Sequence, residues 1–152
     1  MLVEQKRKGP TLATGVKEEV PDEELDPWIL YIYAIKSPAT KEKYVIRLEK
    51  FLDFLNLQGT LEEDKARSFA RKARNDNAWA FNSILKFMQL LKERFNQKEI
   101  TAGTIRNYVK SIKLFCQMAD ISITWEKITR GLPRARRYAD DIAPTLLTQI
   151  RP

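Results

Sequence analysis

Two stretches of the chain open in the same way, and this shared pattern is the strongest constraint on its fold. The first reads Ser37-Pro-Ala-Thr-Lys-Glu-Lys-Tyr and the second reads Thr101-Ala-Gly-Thr-Ile-Arg-Asn-Tyr, 64 positions later. In each, a hydroxyl residue is followed by Thr three positions on, by Tyr seven positions on, and then by apolar residues at helical spacing. Ser and Thr are preferred N-cap residues, and apolar residues at this period form the buried face of a helix. The pattern therefore predicts two amphipathic helices with capped N-termini.

The same criteria extend along the chain and indicate an all-α fold, because no segment has a convincing strand pattern. Helices are predicted over 27–35, 37–56, 60–74, 78–96 and 101–119, with a short helical turn over 125–128. Their predicted N-terminal signals are Asp26, Ser37, a capping box at Thr60-Leu-Glu-Glu63, Thr101 and Thr124. Asn75-Asp76-Asn77 is expected to separate the third helix from the fourth.

Apolar residues at the helical period give the expected core. The helix over 78–96 is apolar on most sides, which is typical of the central helix of a bundle. The short helix over 27–35 is expected to pack onto the bundle through Trp28, Ile29, Ile32 and Tyr33. The inward residues of the others are expected to be Tyr44, Leu48, Phe51, Leu52, Leu55, Ala66, Phe69, Ala70, Ala73, Trp79, Phe81, Ile84, Leu85, Phe87, Met88, Leu91, Phe95, Ile105, Tyr108, Val109, Ile112, Phe115 and Cys116.

Charge is distributed unevenly along the 152 residues, whose formal net charge is +7. Residues 1–25 carry four basic and six acidic residues and few large apolar ones, so they are expected to form a flexible leader. Residues 26–152 carry 23 basic and 14 acidic residues, a net charge of +9, and 101–137 alone reach +6. A basic body of this kind suits a polyanionic partner. With no apolar run long enough to span a bilayer and no signal region, the expected location is cytoplasmic, without a membrane partner.

Catalysis and metal binding are disfavoured by the composition. The chain has no His, which removes the usual general base and a common metal ligand. Its single cysteine, Cys116, supports neither a disulfide nor a thiolate cluster and is expected to be a buried core thiol. Glu62, Glu63 and Asp64 open a predicted helix, where carboxylates favour the helix dipole. The five glycines are scattered and form no phosphate-binding loop. No metal, cofactor or small-molecule substrate is therefore expected.

Basic residues recur at helical spacing on three predicted helices. Each group is spaced by four and then three residues, so its members share one side of a helix. The groups are Lys43, Arg47 and Lys50; Arg106, Lys110 and Lys113; and Arg67, Arg71 and Arg74. The first two follow hydroxyl-capped N-termini, which suit phosphate groups, whereas the third is interpreted as a solvated face. Asn107 has the side chain to read an adenine edge, and Arg130, Arg134, Arg136 and Arg137 form a basic segment suited to a nucleic-acid backbone.

At these residues the chain resembles the N-terminal core-binding domain of tyrosine recombinases, the phage-integrase family, and among them those of archaeal type. The resemblance rests on the two blocks quoted above with Leu48, Phe51, Ile112, Leu114 and Phe115, and on Gly131-Leu-Pro-Arg-Ala with Asp140-Asp-Ile-Ala-Pro-Thr-Leu. It implies a SAM-like four-helix bundle that forms half of a clamp on duplex DNA, here with an extra short N-terminal helix and a C-terminal linker. The residues that it nominates for DNA contact are Thr40, Lys41, Lys43, Arg47, Thr104, Arg106, Asn107 and Lys110, to which the basic spacing adds Lys113, Arg134, Arg136 and Arg137.

The resemblance also implies a division of the chain. It predicts a leader at 1–25, a core-binding domain at 26–129, a basic interdomain linker at 130–144 and the start of a catalytic domain at 145–152. The family's catalytic residues lie in that second domain, so this chain is expected to bind double-stranded DNA and not to cut it. An alternative is a protein-interaction module that associates with a full-length recombinase, or with a separate catalytic half, through an apolar segment at Leu146, Leu147 and Ile150. An enzyme with an unfamiliar site is a third and disfavoured hypothesis.

Overall fold

A computed structural model describes residues 26–134, which form six α-helices and contain no strand. The all-α fold class is thus confirmed for this part of the chain. The helices are α1 (Pro27–Ala34), α2 (Pro38–Phe54), α3 (Glu62–Asn75), α4 (Asn77–Asn96), α5 (Ala102–Met118) and α6 (Trp125–Thr129). Among the described residues, no helix combines the length and apolarity that crossing a bilayer requires. The expectations for residues 1–25 and for everything after Arg134 lie outside the described residues.

Side-chain caps start four of the helices. Asp26 accepts from the Trp28 amide at 2.9 Å, Ser37 from the Thr40 amide at 3.4 Å, and Thr101 from the Thr104 amide at 3.1 Å. These three predicted caps are confirmed. A fourth, Asp76, accepts from the Trp79 amide at 3.0 Å, so that the predicted three-residue break shrinks to one residue between α3 and α4.

The predicted capping box at Thr60 is wrong. Helix α3 begins at Glu62 with Leu61 in the N-cap position and no side-chain cap bond. The Asp64 and Lys65 amides both donate to the Leu61 carbonyl at 3.1 Å. The first carbonyl that accepts a helical hydrogen bond is therefore that of Leu61 and not that of Thr60. Three acidic residues in the first turn face the helix N-terminus instead. Thr124 likewise precedes α6 without a side-chain cap bond.

Three helices are followed by a residue in the left-handed backbone region, and none of these three residues is glycine. Asn56, Lys98 and Asp120 have φ of 56°, 66° and 58°, each two positions after the last residue of α2, α4 or α5. At the end of α4 the Glu99 amide donates to the Arg94 carbonyl at 2.9 Å, and α5 ends with the equivalent bond from Ile121 to Cys116 at 2.9 Å. This six-to-one bond defines the Schellman motif, which ends both helices sharply.

The core is organised around α5 and not, as expected, around α4. Helix α5 packs against α1, α2 and α4, whereas the main contacts of α4 are with α3 and α5. Every predicted inward residue of α5 is buried, Cys116 included, and Ser111 joins them. Edge-to-face or tilted aromatic contacts connect the helices, with Phe69 lying 5.3 Å from Phe51 and 6.2 Å from Phe115 between ring centroids. The four predicted inward residues of α3 are all buried as well.

Helix α1 is held by a residue that the sequence did not single out. Tyr31 is fully buried, whereas Ile29 and Tyr33, expected to face the bundle, are 58% and 82% exposed. The Tyr31 hydroxyl lies 2.9 Å from both the Tyr44 carbonyl oxygen and the Ser111 Oγ. Ser111 also donates to the Tyr44 carbonyl at 2.7 Å. One carbonyl of α2 is therefore joined to α1 and to α5 through two buried hydroxyls.

Candidate nucleic-acid interface

The outward face of α5 is basic. Arg106, Lys110 and Lys113 are exposed, because the opposite face of the helix is buried against its neighbours. Among residues 26–134, no carboxylate lies within ion-pair distance of these three cations. Their charge is therefore not neutralised by the described part of the molecule, and it is available to a polyanion.

The N-terminus of α5 is open, but its two threonine hydroxyls contact each other. Thr101 Oγ1 accepts from the Thr104 amide and lies 3.1 Å from Thr104 Oγ1. Gly103 is exposed, and a β-carbon added there would meet only Thr101 Oγ1, at 3.7 Å. The first-turn amides of Ala102 and Gly103 are the groups that this end presents, together with the positive end of the helix dipole.

Two further cations line the groove beside this helix end. A groove of about 790 Å³ is lined by Thr101, Ala102 and Gly103 on one side and by Lys98 and Arg134 on others. Arg134 was predicted as a DNA contact from its place in the linker, and the structure brings it to the start of α5. Lys98 was not predicted, because it falls in the turn after α4, where its left-handed backbone gives no signal in a sequence pattern.

The segment that carries Arg134 is packed against α5. Thr129, Leu132 and Pro133 share a small cavity with Arg106 and Val109 of α5. A backbone bond from the Leu132 amide to the Thr129 carbonyl, 3.0 Å long, shapes the turn after α6. The first residues of the predicted linker thus form part of the folded unit. Arg136 and Arg137, the other two predicted linker contacts, lie outside the described residues.

The basic residues of α2 form a second surface. Lys43, Lys50 and Thr40 are exposed, and Lys41 and Arg47 are half-buried. Burial raises the pKa of the Tyr31 hydroxyl, and the hydrogen bond with Ser111 and the charge of Arg47 oppose that shift. The charge of Arg47 therefore acts on the buried Tyr31 hydroxyl, where α1, α2 and α5 meet.

The structure does not merge the two basic groups into one flat stripe. Helices α2 and α5 touch where Ser111 bonds to the Tyr44 carbonyl, and half-buried Asn107 lies one turn before Ser111 on the same side. At about 100° per residue, Arg106 and Lys113 lie roughly 140° and 160° around α5 from Ser111, so they face away from α2. Asn107 therefore borders the contact with α2, whereas Arg106 and Lys113 lie on the opposite side of α5.

Two of the three arginines of α3 have structural roles. Arg67 donates to Asp26 at 2.9 Å and to Asp64 at 3.2 Å. Arg74 Nε donates to the Ala119 carbonyl at 2.9 Å, which ties the end of α3 to the end of α5. These two residues are therefore not part of a merely solvated face, as the sequence suggested, whereas Arg71 is exposed.

Nothing in the described residues resembles a metal site, since residues 26–134 hold no group of three His, Cys, Asp or Glu that could share an ion. Comparisons of the chain with protein-family models, with curated proteins and with solved structures give no match. The interpretation of its function therefore depends on the geometry above and on the sequence motifs.

Proposed function

We propose that this chain binds duplex DNA through α5, the turn before it and α2, as the SAM-like core-binding domain of a tyrosine recombinase does, and that it does not cleave DNA. The observation that carries the proposal is the concentration of cations around α5. Arg106, Lys110 and Lys113 stand exposed along one side, and Lys98 and Arg134 flank its open N-terminus.

This arrangement suits a phosphate backbone better than a small anion. From Arg106 to Lys113 there are seven helical steps, about 10.5 Å along the helix axis, whereas a small anion would need the cations to converge on one point. DNA presents roughly one charge per 1.7 Å of its axis, so a row of separated cations can neutralise several phosphates. In the proposed complex these contacts supply most of the affinity, and Asn107 supplies a base contact.

The test is fluorescence anisotropy of a labelled duplex titrated with the chain at several salt concentrations. Replacing Arg106 and Lys110 together by Ala removes two proposed phosphate contacts. The slope of log K against log salt should fall by about 1.8, since each contact contributes about 0.9. Lys86→Ala with Lys92→Ala is the matched control, because it removes the same charge from exposed positions of α4. Equal slopes for the two double variants would refute the interface.

Absence of cleavage is tested separately with supercoiled plasmid. The chain should leave the plasmid intact at protein concentrations that saturate binding. If a nicking activity persists when the protein is purified to constant specific activity, the proposal that the chain does not cleave DNA is refuted. The proposed DNA interface is not affected by that result.

A second candidate function is association with an intact recombinase, and the exposure of Ile29 and Tyr33 one turn apart on α1 favours it. Two large apolar side chains on one exposed helix face fit a protein partner. Mixing the chain with an intact tyrosine recombinase in the absence of DNA should then give a complex that Tyr33→Ser weakens. If the complex forms only when DNA is present, the DNA-binding function alone is sufficient.

A further inference from the structure

We infer that a groove along α3 binds a short acidic segment of a partner protein, one that carries apolar side chains between its carboxylates. This α3 groove has a volume of about 550 Å³ and is lined by the turn after α2, by one face of α3 and by the first residues of α4. The partner is a protein, so this binding is independent of the proposed DNA interface.

Part of the lining of the α3 groove is apolar. Leu55, Leu57 and Trp79 line it, and each is half-buried and packed against the core. The bond from the Trp79 amide to the Asp76 cap, 3.0 Å long, fixes the backbone that carries the indole. Apolar surface that water still reaches is stabilised when another apolar group covers it. The groove therefore suits a ligand with apolar side chains.

Two cations of α3 line the same groove. Arg71 and Lys72 are exposed, and within residues 26–134 neither has a carboxylate at ion-pair distance. Asp76 also lines the groove, but its carboxylate caps α4, where the helix dipole favours a negative charge. The two cations are thus available to carboxylates of a ligand, and the guanidinium of Arg71 can bind one in a bidentate manner.

The position of Lys72 favours a peptide over a strand of nucleic acid. Its ammonium lies 4.5 Å from the centre of the Trp79 ring, so a cation covers one face of the indole. Phe69 contacts the same residue, with 5.6 Å between ring centroids. Single strands bind largely by stacking their bases on open aromatic faces. An aliphatic side chain has no such requirement and can pack on the parts of the lining that remain exposed.

The length of the groove indicates a short segment. Ser68, Arg71, Lys72 and Asn75 recur at the spacing of one helix face, so the α3 wall extends about 10.5 Å along the helix axis. An extended chain advances roughly 3.3 Å per residue, so three or four residues cover this wall. The exposed amide of Asn75 can both donate to and accept from the backbone of such a segment.

The probe is the peptide acetyl-Asp-Leu-Leu-Asp-amide, titrated into the isotope-labelled full chain at constant ionic strength. Amide signals of residues 55–58 and 71–76 and the indole N–H signal of Trp79 should shift together and saturate, because these segments form the walls of the groove. The same peptide with serine in place of leucine should bind at least roughly tenfold more weakly, since it buries no leucine side chain. The peptide with lysine in place of aspartate should shift none of these signals.

A pair of variants tests the role of charge. Arg71→Glu should weaken binding of the acidic peptide and allow the lysine peptide to bind, because the sign of the charge on the α3 wall is reversed there. Lys86→Glu makes the same change of charge at an exposed position of α4 outside the groove, and it should alter neither result.

Three results would overturn the inference. One is the absence of shifts in these signals at the solubility limit of the acidic peptide, or equal affinity for the leucine and serine peptides. Another is a set of shifts concentrated on the basic faces of α2 and α5. The third is a stronger shift of the same signals by a thymidine tetranucleotide, which would assign the groove to single-stranded nucleic acid.

Discussion

Tyr31 illustrates how much a single buried hydroxyl contributes to this fold. Its oxygen and that of Ser111 share the Tyr44 carbonyl, and two hydroxyl protons must serve three short contacts. Tyr31→Phe keeps the ring and removes one hydroxyl from a site without water access. We expect it to lower the free energy of unfolding by about 1–2 kcal/mol, measured by urea denaturation.

The control for this substitution is on the same helix. Tyr33 is 82% exposed, so Tyr33→Phe should leave the free energy of unfolding unchanged within about 0.5 kcal/mol. In a double-mutant cycle, Ser111→Ala should couple to Tyr31→Phe by at least roughly 0.5 kcal/mol. Additive effects would mean that the two hydroxyls act separately, contrary to the geometry.

Glu49 on α2 gives a pH-dependent prediction. Burial raises the pKa of its carboxyl, and the neighbouring charges of Glu62 and Asp53 raise it further. A carboxyl whose pKa is higher in the folded state favours the fold when protonated, so its ionisation reduces stability as pH rises through that range. Glu49→Gln should therefore stabilise the fold at neutral pH, by less than about 0.5 kcal/mol since the site is largely solvated.

The measurement for Glu49→Gln is the difference in unfolding free energy between variant and wild type across a pH series. The advantage of the variant should disappear well below 4.5, the unperturbed value for this carboxyl, where Glu49 is protonated in both states. A constant difference over the whole series would assign the effect to packing instead.

At the scale of elements, the helix ends offer an easily tested stabilisation. Lys98 ends α4 with φ of 66°, a conformation in which a β-carbon is strained and glycine is not. Lys98→Gly should raise the free energy of unfolding by about 0.5–1 kcal/mol in thermal or urea denaturation. Lys92→Gly, at an exposed position inside the same helix, should lower it by about 1 kcal/mol. Destabilisation by both substitutions would contradict the assigned turn.

Helical periodicity predicted the long helices well. It failed where apolar residues lie on all sides of a helix, because the pattern then does not indicate which side faces the core. The inward residues of α5 recur at strict spacing and are all buried, as predicted. Helix α1 is apolar on nearly every side, so its sequence could not say that Tyr31 faces inward and Tyr33 outward. Only the position of Ser111, 80 residues away, decides this. The start of α3 was predicted too early for a related reason. Thr60 is a residue type that commonly caps helices, but in the structure Leu61 occupies the N-cap position.

The candidate interface was predictable in composition but not in arrangement. Spacing identified the exposed cations of α5 and α2, because residues three or four apart share a helix face. The approach of Arg134 and Lys98 to the start of α5 depends on how two turns fold back, which no local pattern encodes. The separation of Arg106 and Lys113 from the contact with α2 likewise depends on which side of α5 meets its neighbour.

At the scale of the whole molecule, the described basic surface is divided by role. The cations of α5 are exposed, as are Lys43 and Lys50 of α2. By contrast, Arg67 and Arg74 hold α3 against the start of α1 and the end of α5.

The reactivity of the buried Cys116 thiol can be used to measure the stability of the fold. Burial raises its pKa to about 12, so in the closed protein the sulfur is both inaccessible and protonated at neutral pH. An alkylating reagent can react only during transient opening, and the ratio of its rates in native and denatured chain gives the free energy of that opening. Because Cys116 lies on the helix that contacts most of the others, this value should equal the global free energy of unfolding. A smaller value would show that α5 detaches while the remaining helices stay folded.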